Sequence, residues 1–197
     1  MDIEVILFDL GGVLVELTGV ATMMAWSRFD EDEIWRRWLH SDAVRAFESG
    51  RSGAEDFARA VVAEFELAVT PDQFMEAFVQ WPRGLYDGTT ELLQSLHDRY
   101  HLSCLSNTNH LHWQRFEMET ALFSSLHSCF ASHQIGMLKP DVETYRHVID
   151  KLGTRPGDIL FLDDNQINVD GARSAGMHAV LARGIEGVNL QLDRLGL

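Results

Sequence analysis

The feature that most constrains this chain is a series of short apolar runs rich in β-branched and aromatic residues. The first run, EVILF at residues 4–8, ends in an aspartate, a leucine and two glycines. A short run that empties into a glycine turn is typical of a fully buried strand. Similar runs follow at residues 101–105, 128–131, 159–162 and 178–181. Mostly helical sequence separates them, and this alternation predicts an α/β fold with a parallel sheet.

The helices of this part of the chain are expected between the runs, at residues 89–99, 112–119, 140–151 and 167–175. Residues 17–84 differ, because strand-like runs vanish and apolar residues fall at helical spacing. Capping-box patterns mark three helix starts there, at Asp30 with Glu33, Ser52 with Glu55 and Thr70 with Gln73.

We therefore predict a core formed by residues 1–16 and 85–197, and a helical insert over residues 17–84. The insert follows the first strand directly. In open α/β sheets the ligand crevice lies at the carboxyl ends of the strands. The insert is thus placed to cover that crevice as a lid.

The charge of the chain narrows the class of partner. Its 197 residues include 16 basic and 30 acidic side chains, giving a net charge of −14. An acidic surface without a basic tract repels phosphate backbones, which argues against nucleic-acid and anionic-membrane partners. No apolar run approaches the ~20 residues of a membrane span. Two cysteines without metal-ligand spacing suggest a reducing compartment, and we expect a cytoplasmic protein.

Acidic side chains stand at two of the predicted strand ends. Asp9 follows the first run, and Asp163 and Asp164 follow the run at 159–162. Adjacent aspartates at the end of a buried strand repel each other strongly unless a cation or a basic group shares them. Two oxygen ligands from this pair and one from Asp9 would make an octahedral Mg²⁺ site that keeps several waters and a substrate phosphate.

Two further features complete the pattern. Residues 106–109, Ser-Asn-Thr-Asn, follow the second run and suit the binding of phosphate oxygens. Lys139 precedes Pro140 at a predicted helix start, in a chain with two lysines and fourteen arginines. A compact ammonium there can neutralise a phosphoryl group or a catalytic carboxylate. Each feature alone also fits a turn, a helix cap or a surface lysine, but four in order favour a catalytic site.

Four motifs in chain order resemble motifs I to IV of the haloacid dehalogenase superfamily. They are DLGGVL, LSNTN, the Lys-Pro pair, and FLDDN with a following NxxGA. The helical insert resembles the C1-type cap of subfamily I. The stretch LSNTNHLH places the chain nearest the glucose-1-phosphate phosphatase branch and the phosphatase-like N-terminal part of epoxide hydrolases. The resemblance implies a Rossmann-like core with an α-helical cap, and Mg²⁺-dependent hydrolysis of a small phosphomonoester, with a sugar phosphate as one candidate.

Carried over residue by residue, the resemblance makes Asp9 the nucleophile, which forms an aspartyl-phosphate. Ser106 would hold a phosphoryl oxygen, and Asn107 would line the pocket beside it. Lys139 would screen the charge between Asp9 and the phosphoryl group. Positioning and charge stabilisation of this kind account for most of phosphoryl transfer.

The resemblance also assigns the metal ligands. Asp9, the backbone carbonyl of Gly11 and Asp164 would bind Mg²⁺, and Asp163 would support the metal directly or through water. Family phosphatases usually carry a second aspartate two residues after the nucleophile, where this chain has Gly11. That aspartate protonates the leaving group and activates water, and losing such a group costs about 10²- to 10⁴-fold in rate.

Because Gly11 replaces the second aspartate, three functions are compatible with the sequence. The chain is a phosphatase in which another group or water carries the proton, a 2-haloacid dehalogenase, or a degenerate binding module. Dehalogenases also lack the second aspartate, because halide needs no proton, but they need no metal and lack paired acids in motif IV. The pair Asp163 and Asp164 therefore favours the metal-dependent enzyme.

Three further residues are candidates for contact with substrate. Arg51 lies in a predicted loop between cap helices, where C1 caps often touch substrate. His110 and His112 follow the phosphate-binding loop and are candidates to replace the missing acid. The tryptophans of the insert at positions 26, 35 and 38 lie at helical intervals and are predicted to form its core. One of them, or Phe47, is an alternative candidate to face substrate, but nothing in the sequence selects it.

Overall fold

The computed structural model describes residues 2–197 except the side chain of Glu119, so Met1 of the predicted 1–16 segment lies outside it. The strands are Val5–Phe8 (β1), Val15–Leu17 (β2), Pro82–Leu85 (β3), His101–Ser106 (β4), Ser128–Ala131 (β5), Ile159–Asp163 (β6) and His178–Leu181 (β7). The helices are Gly19–Trp26 (α1), Glu31–His40 (α2), Asp42–Glu48 (α3), Ala54–Glu64 (α4), Pro71–Val79 (α5), Thr89–His97 (α6), His110–Glu119 (α7), Ser132–Ile135 (α8), Val142–Leu152 (α9), Gln166–Ser174 (α10) and Gly184–Leu195 (α11). Among these residues, no helix has the length and apolarity needed to cross a bilayer.

The main sheet is parallel, with the strand order β5-β4-β1-β6-β7 in the described part of the chain. Its strands are the apolar runs of the sequence, so the predicted α/β fold class is confirmed. The chain passes from β1 to β4 and β5 on one side and later to β6 and β7 on the other. Strand order therefore reverses beside β1, and such a switch point opens a crevice at the carboxyl ends of the strands.

The central strand is buried on both faces, as expected of a parallel sheet covered by helices. Ile6 and Phe8 contact one apolar cluster, whereas Val5 and Leu7 contact the cluster on the opposite face. This period of two places alternate side chains on opposite faces of the sheet. The turn after β1 is thus held rigidly at the edge of the crevice.

The predicted core helices are present, with ends displaced by one or two residues at most positions. Helix α7 begins at His110 rather than 112, because the Asn109 side chain accepts hydrogen bonds from the N–H groups of Leu111 and His112. Asn165 caps α10 in the same way, through the N–H of Ile167. Side-chain capping satisfies backbone donors that a helix end leaves unpaired.

Helices α1–α5 pack around their own apolar cluster. Antiparallel β2 and β3 connect this bundle to the main sheet, and the predicted boundaries at residues 17 and 84 fall within them. The Phe47 and Phe57 rings stack with centroids 4.2 Å apart, and Trp38 packs against Phe57 edge-on. The prediction that Trp35 belongs to this core is wrong. Its side chain is 41% exposed, because Ile34 takes the buried position on α2.

The three predicted capping boxes have different outcomes. Thr70 and Gln73 form the complete reciprocal pair at the start of α5. Asp30 caps α2, but the Glu33 carboxylate binds arginines of its own helix instead of reaching back. The Ser52 prediction is wrong: α4 begins at Ala54 with Gly53 as its N-cap and no side-chain cap.

We expect Thr70→Ala to lower the free energy of unfolding by about 1 kcal/mol, the usual cost of losing an N-cap hydroxyl. Ser52→Ala should lower it by less than about 0.5 kcal/mol, because the described residues offer the buried Ser52 hydroxyl no hydrogen-bond partner. Urea denaturation of the two variants checks this pair. Equal losses would contradict the observed start of α4.

Candidate active site

Three carboxylates converge at the carboxyl ends of β1 and β6. The two strands pair in parallel, with Phe8 opposite Leu162, so the residues that follow them leave the sheet side by side. One ligand oxygen each of Asp9, Asp163 and Asp164 lies within 4.8 Å of the others. The structure thus brings together the acids that the sequence indicated as metal ligands.

Lys139 connects two of these acids. Its Nζ lies 2.8 Å from Asp9 Oδ1 and 2.7 Å from Asp163 Oδ2, and its side chain is only 1% exposed. Burial works against the ammonium, but Asp163 and Asp9 outweigh burial and raise the pKa of Lys139. The lysine is therefore charged at any working pH and is no solvated surface residue.

Asn107 fixes the backbone of that lysine. Its Nδ2 donates to the Lys139 carbonyl oxygen at 2.9 Å, and its Oδ1 accepts from the Lys139 N–H at 2.9 Å. Both polar atoms of the Asn107 side chain are thus engaged by Lys139. Ser106 ends β4, is buried, and lies on the wall of the adjoining cavity together with Asn107.

The neighbouring aspartates of motif IV differ in their surroundings. Asp163 is fully buried and accepts hydrogen bonds from the Asn165 N–H, from the Asn168 amide and from Lys139. Asp164 is partly exposed, and Arg183 donates to its backbone oxygen, not to its carboxylate. Asp163 is therefore organised to hold Lys139, whereas the carboxylate of Asp164 faces the site.

The electrostatics favour a bound cation. Burial raises the pKa of Asp9 to about 8, and repulsion from Asp163 and Asp164 adds to this rise while Lys139 opposes it. Burial and Asp163 likewise raise the pKa of Asp164 to about 6. One ammonium does not balance three carboxylates, and oxygen ligands at this spacing suit a hard divalent ion such as Mg²⁺.

The turn between β1 and β2 approaches the acids closely. Gly12 has φ +75°, and a Cβ there would lie 2.3 Å from Asp164 Oδ2, so only glycine fits. At Gly11, which has no side chain to act as an acid, a Cβ would meet Leu17 Cδ1 at 2.6 Å. Leu17 thus occupies the space where a side chain at position 11 would lie.

A cavity of about 400 Å³ lies between the carboxyl edge of the sheet and helices α1–α5. Its floor includes Leu10, Gly11 and Ser106. Most of the remaining wall is apolar and aromatic, including Met24, Ile34, Trp35, Phe78, Trp81 and Phe116. Trp35, which lies outside the core of the insert, is thus one of the residues that line this cavity. Glu48 and His112 are ionisable groups on the same wall.

His112 does not supply the missing acid. Its Nε2 lies 2.7 Å from the Phe78 carbonyl oxygen, and its Nδ1 lies 3.1 Å from the Asn109 amide nitrogen. A carbonyl oxygen can only accept, so Nε2 carries a proton. The Asn109 amide N–H donates to Nδ1, so Nδ1 carries no proton and the ring is neutral. Burial lowers the pKa of His112 to about 4. The ring joins α7 to α5.

Two other sequence candidates lie apart from the carboxylates. Arg51 is exposed, is not among the residues that line the cavity, and donates from Nε to Ser49 Oγ at 2.8 Å. His110 packs edge-on against Phe47. Neither residue contacts the acidic site in the described structure.

Sequence reasoning missed the roles of three residues. Asn168 is the asparagine of the NxxGA motif, and its amide donates to both carboxylate oxygens of Asp163. Ser132 accepts from the Thr108 N–H and donates to the Glu48 carbonyl, joining core and insert. Glu48 resembles many acids of this chain in sequence, and only the folded structure places it on the cavity wall.

The fold and the site define a Rossmann-like enzyme with a carboxylate centre at the switch point of its sheet. Residues 3–176 match the haloacid dehalogenase-like hydrolases, and the chain belongs to this hydrolase family. The resemblance of the four motifs is thereby confirmed.

The chain is similar to relatives named as phosphatases and to relatives named as haloacid dehalogenases. Phosphatase MT3486 of Mycobacterium tuberculosis is 28% identical to this chain, and the match covers 92% of this chain and 88% of the length of that phosphatase. (S)-2-haloacid dehalogenase 4A of Burkholderia cepacia is 28% identical, over 55% of this chain and 47% of its own. A solved enzyme of the family from Bacteroides thetaiotaomicron, in complex with magnesium and inorganic phosphate, has TM-score 0.73 and 22% identity, covering 92% of this chain and 94% of its own.

We expect the stability of the protein to fall as the pH drops from about 6.5 to about 4 because of His112. The unfolded chain binds a proton on this ring near the ordinary pKa of about 6.5, whereas the folded protein does so near 4. Protons bound preferentially by the unfolded state destabilise the fold, here by about 3 kcal/mol at most.

The measurement is urea denaturation of the wild type and His112→Gln at pH 7 and pH 4.5. The buried carboxylates titrate in both proteins, so the difference between the two isolates His112. The variant should lose less stability on acidification. Equal losses would contradict a neutral His112.

Proposed function

We propose that this protein is a Mg²⁺-dependent phosphohydrolase that cleaves a small phosphomonoester through an aspartyl-phosphate at Asp9. The observation that carries the proposal is the environment of that carboxylate. Its Oδ1 accepts hydrogen bonds from the Leu10 N–H and Lys139, at 2.7 and 2.8 Å. These contacts orient the carboxylate and leave Oδ2 for attack on phosphorus.

The residues around Asp9 fit the remaining roles. Asp9, Asp164 and the carbonyl of Gly11 would hold Mg²⁺, with Asp163 supporting the site through Lys139 and its own carboxylate. Bound there, Mg²⁺ would neutralise charge on the non-bridging phosphoryl oxygens. Ser106 would donate to a phosphoryl oxygen from the end of β4. Lys139 holds the nucleophile in place and offsets the negative charge of the approaching phosphoryl group.

The dehalogenase alternative shares the nucleophile but not the acidic centre. A metal-free dehalogenase has no use for a carboxylate like that of Asp164, which lies among two other acids with a raised pKa. Retention of Asp9, Lys139 and both motif IV acids also supports catalysis over a purely binding role. The metal-dependent hydrolysis of a phosphate ester accounts for all of these groups.

The cavity supports an inference about the organic part of the substrate. Residues 17–84 supply most of its wall, as expected of a cap, and this wall is largely aromatic and aliphatic. Sugars need several hydrogen-bonding partners, whereas a wall of this kind favours an apolar or aromatic group. We infer an aryl or otherwise apolar phosphomonoester in preference to the sugar phosphate suggested by the resemblance.

Purified protein should hydrolyse p-nitrophenyl phosphate with Mg²⁺ and lose this activity with EDTA. Asp9→Asn should reduce the rate to background, because the nucleophile is lost, and Asp164→Asn should reduce it at least about 100-fold. Asp170→Asn, an exposed acid on α10, is the matched control with wild-type activity. Activity unaffected by chelation, or chloride release from 2-chloropropionate without metal, would contradict the proposed mechanism.

Among alternative substrates, benzyl phosphate should exceed glucose 1-phosphate in kcat/KM by about tenfold or more, since burying an aromatic ring contributes over 1 kcal/mol. Trp35→Ala should remove most of this preference. Leu39→Ala changes a similarly exposed residue of α2 outside the cavity and should retain the preference. A preference for glucose 1-phosphate in the wild type would refute the apolar class.

A further inference from the structure

Hydrolysis of an ester with a poor leaving group needs a proton donor, and position 11 provides none. We propose that the Glu48 carboxyl group is the general acid and base of this enzyme, supplied by the helical insert instead of the nucleophile turn. This inference rests on the proposed phosphatase function. Its basis is the position of Glu48 on the wall of the same cavity as Gly11 and Ser106.

Glu48 is held at that position by contacts between insert and core. Ser132 Oγ donates to the Glu48 carbonyl oxygen at 2.6 Å. Two residues later, Gly50 packs so closely on the core that a Cβ there would lie 2.6 Å from the His133 carbonyl oxygen. Within the same last turn of α3, Arg45 binds Asp141 at 2.6 Å. These contacts fix the last turn of α3 against α8, the short helix that follows β5.

The charges around Glu48 suit proton transfer in both directions. Burial raises the pKa of Glu48 to about 7, while Lys139, Arg45 and the Trp38 indole N–H oppose the rise. A group with a pKa near neutrality is available both as an acid and as a base. Lys139, one of these charges, also contacts the carboxylate of Asp9.

The other ionisable groups on this wall are less suited. In the described part of the chain, Glu31 and His112 are the further titratable residues that line the cavity. The His112 ring is neutral, with both nitrogens occupied. Glu31 is exposed in the first turn of α2, where water surrounds the carboxylate. Glu48 is therefore the group that we assign to proton transfer.

The reaction has two steps, and Glu48 gives a proton in the first and recovers one in the second. In the first, Asp9 Oδ2 forms a bond to phosphorus, the bond from phosphorus to the ester oxygen breaks, and Glu48 gives its proton to that oxygen, which leaves as an alcohol. In the second, water attacks phosphorus while the Glu48 carboxylate takes one of its protons. The bond between phosphorus and Asp9 breaks, inorganic phosphate forms, and both side chains return to their starting states.

The test measures the first step alone, in single turnovers with enzyme in excess over substrate and Mg²⁺ present. p-Nitrophenyl, phenyl and benzyl phosphate share an aromatic ring but have leaving oxygens of rising basicity. Glu48→Gln should slow benzyl phosphate by about 100-fold or more, the usual contribution of a general acid. p-Nitrophenyl phosphate, whose leaving group needs no proton, should slow by less than about 10-fold.

Controls separate this role from a structural one and from the proposed function. Glu76→Gln, at an exposed acid of α5 outside the cavity, should keep the wild-type dependence on leaving group, and Glu48→Asp should lie between wild type and Glu48→Gln. Loss of activity in Asp9→Asn with an active wild type establishes the phosphatase independently. Given that activity, equal slowing of all three esters in Glu48→Gln, or no slowing, would overturn the assignment. An inactive wild type would overturn the phosphatase itself.

Discussion

The structure depends on one buried ammonium group shared by two carboxylates. Lys139 lies between Asp9 and Asp163, and none of the three is more than slightly exposed. Removing one partner from such a group leaves an uncompensated buried charge, which is strongly destabilising. The surrounding residues serve this arrangement, because Asn107 fixes the lysine backbone and Asn168 satisfies the second aspartate. Geometry and charge at the nucleophile are thus set by the same interaction.

Much of the fold and the acidic centre could be predicted from sequence for a simple physical reason. Strands buried on both faces read as short continuous apolar runs, and parallel strands bring their carboxyl ends to one edge. Acids that follow two such runs, Asp9 and Asp163, must therefore meet if the strands are neighbours. Strand order cannot be read from the sequence. The chemistry of the three acids led us to combine them in one metal site, and the resemblance to a known family supported that combination.

The parts that could not be predicted depend on packing between helices. Helical spacing alone does not say which of Ile34 and Trp35 faces the core, and the choice places a tryptophan on the cavity wall. The serine at position 52 fits a capping pattern, but Gly53 takes the N-cap position instead. Glu48 gains significance only from residues distant in sequence, such as Ser132 and Lys139.

Leu17 has a consequence that extends beyond the present chemistry. Its side chain, 45% exposed, fills the space beside Gly11 and also forms part of the cavity wall. An aspartate at position 11 would have to push Leu17 aside and so alter the shape of the space offered to substrate. An acid introduced at position 11 would therefore change the wall that meets the substrate as well as the source of the proton.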